Sequence, residues 1–300
     1  MRQGFASTVP PAGRGQRHLK RKAAVALLTG CGALLLAAGP APAQDLLDAN
    51  CPGPPNTSVD PDPGDRDVQT FTAQRTGSLV RGETEISKLG GAADWVMQIV
   101  TTDGSGTPTN NVLASTTIAN ASVPDGESMI VGLFASPASV VAGQQLSLLV
   151  ARPGESYTLR DRSDAPCPGQ EFFSVLGGPF MAEPIFDFVF AVFVKPSNAV
   201  TLGATTRNKK KGTATLTVNV PNPGELTGSG NGVKASSAGA VISKSVGAGQ
   251  AQLLIKAKGK KKKQLNQKGK VKLSVAVTYI PTGGDPNTQS VKVKLLKKKV

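Results

Sequence analysis

A strict two-residue rhythm governs the clearest stretches of this sequence. From Val271 to Tyr279 every second residue is apolar, through Val271, Leu273, Val275, Val277 and Tyr279. Thr213 to Val220 repeats the pattern with Ala214, Leu216, Val218 and Val220. Successive strand side chains point to opposite faces, so this period buries one face and wets the other, whereas a helix would scatter the same residues around its axis. Short runs of similar character recur upstream, at 70–73, 78–80, 94–101, 112–114, 129–134, 145–150, 156–159 and 172–175. Phe186 to Val194 is apolar at nearly every position, which suits a central strand covered on both sides. Turn signals such as Gly104-Ser105-Gly106-Thr107-Pro108, Pro221-Asn222-Pro223-Gly224 and Gly283-Gly284-Asp285-Pro286 separate the runs. No stretch carries a convincing amphipathic helical repeat. The pattern predicts an all-β chain.

Charge divides that chain in two. Residues 44–196 hold 8 basic and 18 acidic residues, a net of −10, while 197–300 hold 20 basic and 2 acidic residues, a net of +18. The change falls at Lys195-Pro196-Ser197-Asn198. We therefore expect a Pro- and Asp-rich tether at 44–66, an acidic sandwich of jelly-roll type at 67–196, and a basic sandwich at 197–300. The last segment has the length and strand number of an immunoglobulin-like sandwich, without that family's inter-sheet disulfide or buried Trp.

The N-terminus reads as an export signal. Arg2, Arg14, Arg17, Lys20, Arg21 and Lys22 precede an apolar run from Ala23 to Ala38, and Ala41-Pro42-Ala43 supplies the small-residue pattern for cleavage after Ala43. Sixteen residues fall short of the roughly 20 that span a bilayer. An alternative is lipidation at Cys31, since Leu28-Thr29-Gly30-Cys31 is similar to a lipobox. That cleavage would leave Leu34-Leu35-Leu36 where a polar tether is usual. Removing 1–43 also removes His18, the only histidine. The remaining cysteines, Cys51 and Cys167, are expected to pair in an oxidising compartment. Closing so long a loop contributes about 4–5 kcal/mol in the chain-entropy picture.

Both halves resemble modules of exported bacterial proteins. Phe71-Thr72-Ala73, the segment 103–114 and the closing run 187–194 are similar to a jelly-roll module of bacterial surface and secreted proteins, related in appearance to carbohydrate-binding modules. Segments 212–226 and 268–295, with the terminal lysines, resemble a lysine-rich, immunoglobulin-like C-terminal module of bacterial surface proteins. The resemblance implies two sandwiches and brings no catalytic residues with it.

The residue inventory restricts chemistry. Without histidine, hydroxyl nucleophiles lack their usual base, and imidazole-bound zinc or copper is excluded. Glycoside hydrolysis would need two facing carboxylates in a pocket; Glu83, Glu85, Asp161 and Asp164 are candidates, but no pair stands out. No enzyme and no cofactor is expected, with one exception. Asp60, Asp62, Asp65 and Asp67 crowd a turn-rich stretch and form a candidate calcium site, although the spacing is not that of an EF-hand. For sugar stacking the candidates are Trp95, which shares a strand side with Met97 and Ile99, and Tyr157, expected at a polar rim.

The lysines give the strongest chemical signal. Lys209, Lys210, Lys211, Lys256, Lys258, Lys260, Lys261, Lys262, Lys263, Lys268, Lys270, Lys297, Lys298 and Lys299 have almost no acids among them in sequence. Such an excess creates a field that attracts polyanions, and lysine does so as a point charge without bidentate selectivity. Outside a cell the expected partners are anionic wall or matrix polymers. Nucleic acid is disfavoured because no aromatics are interleaved for base stacking. The sequence thus predicts a secreted or surface-attached binding protein whose first sandwich faces a glycan or protein. The alternative is a purely structural or self-associating surface component.

Overall fold

A computed structural model of the chain describes residues 45–163, 167, 169–235 and 249–298. The expected signal segment, Cys31 and Lys299 lie outside these residues. The fold is all-β, and the described strands pair antiparallel in four sheets.

Eight strands frame the first sandwich: Leu46–Asn50, Arg66–Thr72, Gly77–Lys88, Trp95–Thr102, Pro108–Ile118, Gly126–Val140, Gln145–Ala151 and Phe190–Pro196. Counted in that order, the first, eighth, third and sixth lie side by side in one sheet. The second, seventh, fourth and fifth lie side by side in the other. This is jelly-roll wiring, in which a long hairpin of paired strands wraps so that successive pairs fall in opposite sheets. Both inner faces are apolar at alternate positions. Leu79, Ile86, Val192 and Val194 from one sheet meet Phe71, Met97, Leu146 and Leu148 from the other in one core. Gly82 marks the closeness of the sheets: a Cβ there would lie 2.7 Å from Met97 Sδ and 3.0 Å from Leu148 Cδ1.

Two features depart from the sequence reading. Residues 44–66, expected as a tether, contribute the edge strand Leu46–Asn50, hydrogen-bonded along Phe190–Pro196, and a short strand Thr57–Val59. Only two residues of the edge strand, Asp48 and Ala49, are buried, so no long alternation announces it. The second departure is an insertion, 152–189, between the seventh and eighth frame strands. It carries the short strands Thr158–Arg162, Glu171–Ser174, Met181–Glu183 and Asp187–Phe188. Thr158–Arg162 pairs with the end of the third frame strand and carries Asp187–Phe188, while Glu171–Ser174 extends the other sheet beside the second frame strand and carries Met181–Glu183.

Among the described residues the second sandwich has seven strands: Thr201–Asn208, Thr213–Val220, Gly224–Ser229, Val233–Ala235, Gly249–Ala257, Lys270–Pro281 and Asn287–Leu296. Their order, first–second–fifth–fourth in one sheet and third–sixth–seventh in the other, is that of a constant-type immunoglobulin sandwich. The alternating residues named above fill its core, with Leu253, Ile255, Val293 and Leu295 from neighbouring strands. One α-helix, Gly259–Lys268, is described, where the sequence showed no amphipathic repeat. It is anchored by a single buried apolar residue, Leu265, and ends at Gly269, whose φ of 66° lets its amide reach Leu265 O.

The two sandwiches meet around Asn222, which is buried. Its Oδ1 accepts from Thr76 N at 2.9 Å, its Nδ2 donates to Thr76 O and Ser197 O, and its carbonyl accepts from Tyr279 Oη at 2.8 Å. Lys195 Nζ pairs with Asp285 at 3.2 Å beside this contact.

Candidate functional site

Two sites of opposite charge stand out, one in each sandwich. The first is built where the segment 57–67 meets the insertion. Cys51 and Cys167 form a disulfide there, with Cα atoms 5.0 Å apart, tying the end of the edge strand to the insertion. The Cys167 amide donates to Asp187 Oδ2 at 2.9 Å, and Gln69 Nε2 donates to Asp187 Oδ1 at 2.8 Å. Gly169 follows with φ of 144°, and a Cβ there would sit 1.9 Å from Thr70 O, so only glycine fits.

Beside this knot lies a cavity of about 190 Å³, lined by Val59, Asp60, Pro61, Asp65, Asp67, Glu171, Phe173 and Glu183. Five of these eight residues are carboxylates. Asp60 Oδ1 accepts from Thr158 Oγ1 at 2.7 Å, Asp65 Oδ1 from Leu176 N at 3.0 Å, and Asp67 Oδ2 from Tyr157 Oη at 2.7 Å. Glu171 is 1% exposed and its Oε2 has no hydrogen-bond partner; Asp161 is fully buried. Burial pushes Asp67 up to about 6, against the Tyr157 hydrogen bond that lowers it. Burial first, then the neighbouring carboxylates, raises Asp161 and Glu171 far above the ordinary range.

The expected calcium quartet is thus only partly assembled. Asp60, Asp65 and Asp67 line the cavity; Asp62 is exposed on the turn and does not. Glu171 and Glu183 join instead, and nothing in their isolated sequence context signals it, because the insertion brings them in. Among the described residues no group of three or more His, Cys, Asp or Glu already converges as a ligand set for a metal. Of the other carboxylates weighed from sequence, Glu83 pairs with Arg81 at 3.2 Å, and Glu85 lies on the same strand opposite Met129. Asp164 lies outside the described residues.

The aromatic candidates do not offer a sugar platform. Trp95 is fully buried, as its strand neighbours imply. Tyr157, expected at a rim, is also fully buried and packs edge-on against Trp95 with ring centroids 5.3 Å apart. The chain's remaining tyrosine, Tyr279, is buried in the second core. What the first sandwich does expose is an apolar row on Gly126–Val140, where Met129, Val131 and Leu133 are 49%, 42% and 64% exposed.

The second site is the end of the second sandwich opposite Asn222. Thr201–Asn208 runs away from the junction to the turn at 209–212, and Thr213–Val220 returns to Asn222. Backbone bonds gather the other distal segments around that turn: Lys298 N donates to Lys209 O, Lys258 N to Gly232 O, and Lys297 N to Gly269 O. The lysines singled out from sequence, Lys299 aside, therefore share one pole. Lys211, Lys234, Lys256, Lys258, Lys262 and Lys297 line a groove of about 430 Å³ there. The neighbouring ladder sets Lys272 directly opposite Lys294, a like-charge pair that repels across the strands. Both acids of the second half lie at the other end: Asp285 pairs with Lys195, and Glu225 is paired in register with Ile280 near the junction. Among the described residues no ion pair neutralises the pole. No described helix is long and apolar enough to cross a membrane.

No family model and no curated protein matches this chain. Among solved structures it is similar to the cysteine protease and lectin-like domains of Cwp84, a surface layer associated protein of Clostridium difficile, at 16% identity and a TM-score of 0.34. That similarity covers 49% of this chain and 37% of the other.

Proposed function

We propose that this is an exported, non-catalytic binding protein that attaches through its basic distal pole to anionic polymers of the cell envelope or matrix. The observation that carries the reading is segregation: the lysines converge on one end, while the acids of the same sandwich sit at the other. Such a pole attracts polyanions over a Debye length of about 8–10 Å at physiological salt. Lysine's point charge gives affinity for charge density with little discrimination among phosphate, sulfate and carboxylate. The disulfide supports an oxidising compartment.

The first sandwich then faces outward. With every Trp and Tyr buried, its exposed apolar row of Met129, Val131 and Leu133 suits a protein surface better than a sugar ring. The experiment is calorimetric titration of residues 44–300 with polyphosphate, polygalacturonate and neutral dextran. We expect the two polyanions to bind within about tenfold of each other, since the attraction is non-selective, and dextran not to bind. Binding of dextran as tight as that of the polyanions would sink the proposal.

A further inference from the structure

We propose that the acidic cavity of the first sandwich is a calcium site. Asp60 and Asp65 reach it from the loop before the second frame strand, Asp67 from the start of that strand, and Glu171 and Glu183 from the insertion. Glu171 is buried and lines the cavity with Oε2 unpartnered, and Asp161 is fully buried nearby. No ion pair among the described residues reaches any of these six carboxylates. Uncompensated buried carboxylates are strongly unfavourable, so the cluster must take up either protons or a cation.

The donor set selects which cation. All donors are hard oxygens, and the chain beyond residue 43 has no histidine and has both cysteines in a disulfide, which disfavours zinc and copper. Calcium accepts six to eight oxygens at about 2.3–2.6 Å in flexible geometry, which suits carboxylates on a loop and short strands, whereas magnesium demands near-ideal octahedra and keeps its waters. Asp60, Asp65 and Asp67 each commit one oxygen to the protein, and the second makes no hydrogen bond among the described residues. The cavity, about 190 Å³, holds an ion with its waters and falls below the 300–1,000 Å³ usual for organic ligands. Because the carboxylates do not already converge, binding requires them to close on the ion. Closure would tie the segment 57–67 to the insertion beside the disulfide.

The test uses residues 44–300 stripped with chelator, titrated with calcium by calorimetry and followed by thermal unfolding. Extracellular calcium modules bind at about 10⁻⁴–10⁻³ M, so about 10 mM calcium should raise the midpoint by about 3 °C or more. The same concentration of magnesium should give less than half that shift. Glu171→Gln should abolish the shift, and Asp65→Asn, on the partly exposed loop, should weaken affinity at least tenfold without disturbing the core. The inference is overturned if calcium gives no shift, if magnesium gives an equal one, or if both variants respond as the wild type does. Polyanion binding is measured separately, so failure here leaves the distal pole's role standing.

Discussion

Glu171 is where packing and charge conflict most sharply. It is buried between Gln69 and Glu183 in register and lies among Asp67, Asp161 and Asp187, with the Arg160 cation acting on Asp161. Its proton, like those of Asp67 and Asp161, is held more tightly in the folded chain than in the unfolded one. Stability is therefore greatest while these groups are protonated. In calcium-free buffer it falls as pH rises from the ordinary carboxyl range near 4 through about 6, where Asp67 titrates, and continues to fall above it. Glu171→Gln removes one of the competing acids and keeps the shape. Urea midpoints between about pH 5 and pH 8 should drop less in the variant than in the wild type. Equal drops would show that the carboxylate cluster does not control folding. Sequence disclosed little of this. Trp95 sits where Met97 and Ile99 placed it, but the polar neighbours of Tyr157 pointed outward, whereas Trp95 and Asp67, distant in sequence, take up its ring and hydroxyl. A residue buried by a distant segment leaves no local pattern.

At the scale of elements, the helix Gly259–Lys268 carries charge that opposes its own stability. Lys260 to Lys263 occupy its first turn, Lys258 caps it without a side-chain bond, and no acid is present there. Cations at the positive end of a helix are unfavourable by about 0.3–1 kcal/mol each at low salt, and like charges one turn apart add to this. Changing Lys260–Lys263 to Gln should therefore raise the thermal midpoint in low salt by a few degrees and narrow the gap between low and high salt. A variant no more stable than the wild type in low salt would remove the electrostatic account of this end. The helix escaped the sequence reading because its only apolar contact is Leu265. The long strands were legible for the opposite reason, since five consecutive inward residues from Val271 to Tyr279 define their face unaided. The edge strand Leu46–Asn50 borrows its register from Phe190–Pro196 and has too short an alternation to be seen alone.

At the scale of the whole molecule, the charge halves seen in sequence become geometry. Composition placed the boundary near Lys195-Pro196-Ser197-Asn198, and the structure puts Ser197 in the hydrogen-bond network of Asn222. What composition could not show is direction: the antiparallel order of the strands sends the lysine-bearing turns away from the junction and keeps Glu225 and Asp285 beside it. A negative first half and a positive far end also favour contact between molecules, so weak oligomers that dissociate with salt are consistent with the same layout. Sedimentation of residues 44–300 with isolated cell envelopes, across a salt series, probes the basic pole most directly. The wild type should pellet at low salt and be released by a few hundred millimolar, roughly where the Debye length shrinks below lysine's reach. A full-length variant with Lys209–Lys211, Lys260–Lys263, Lys297 and Lys298 changed to Gln should stay in solution throughout. Pelleting that survives those changes, or that salt leaves untouched, would contradict attachment through that pole.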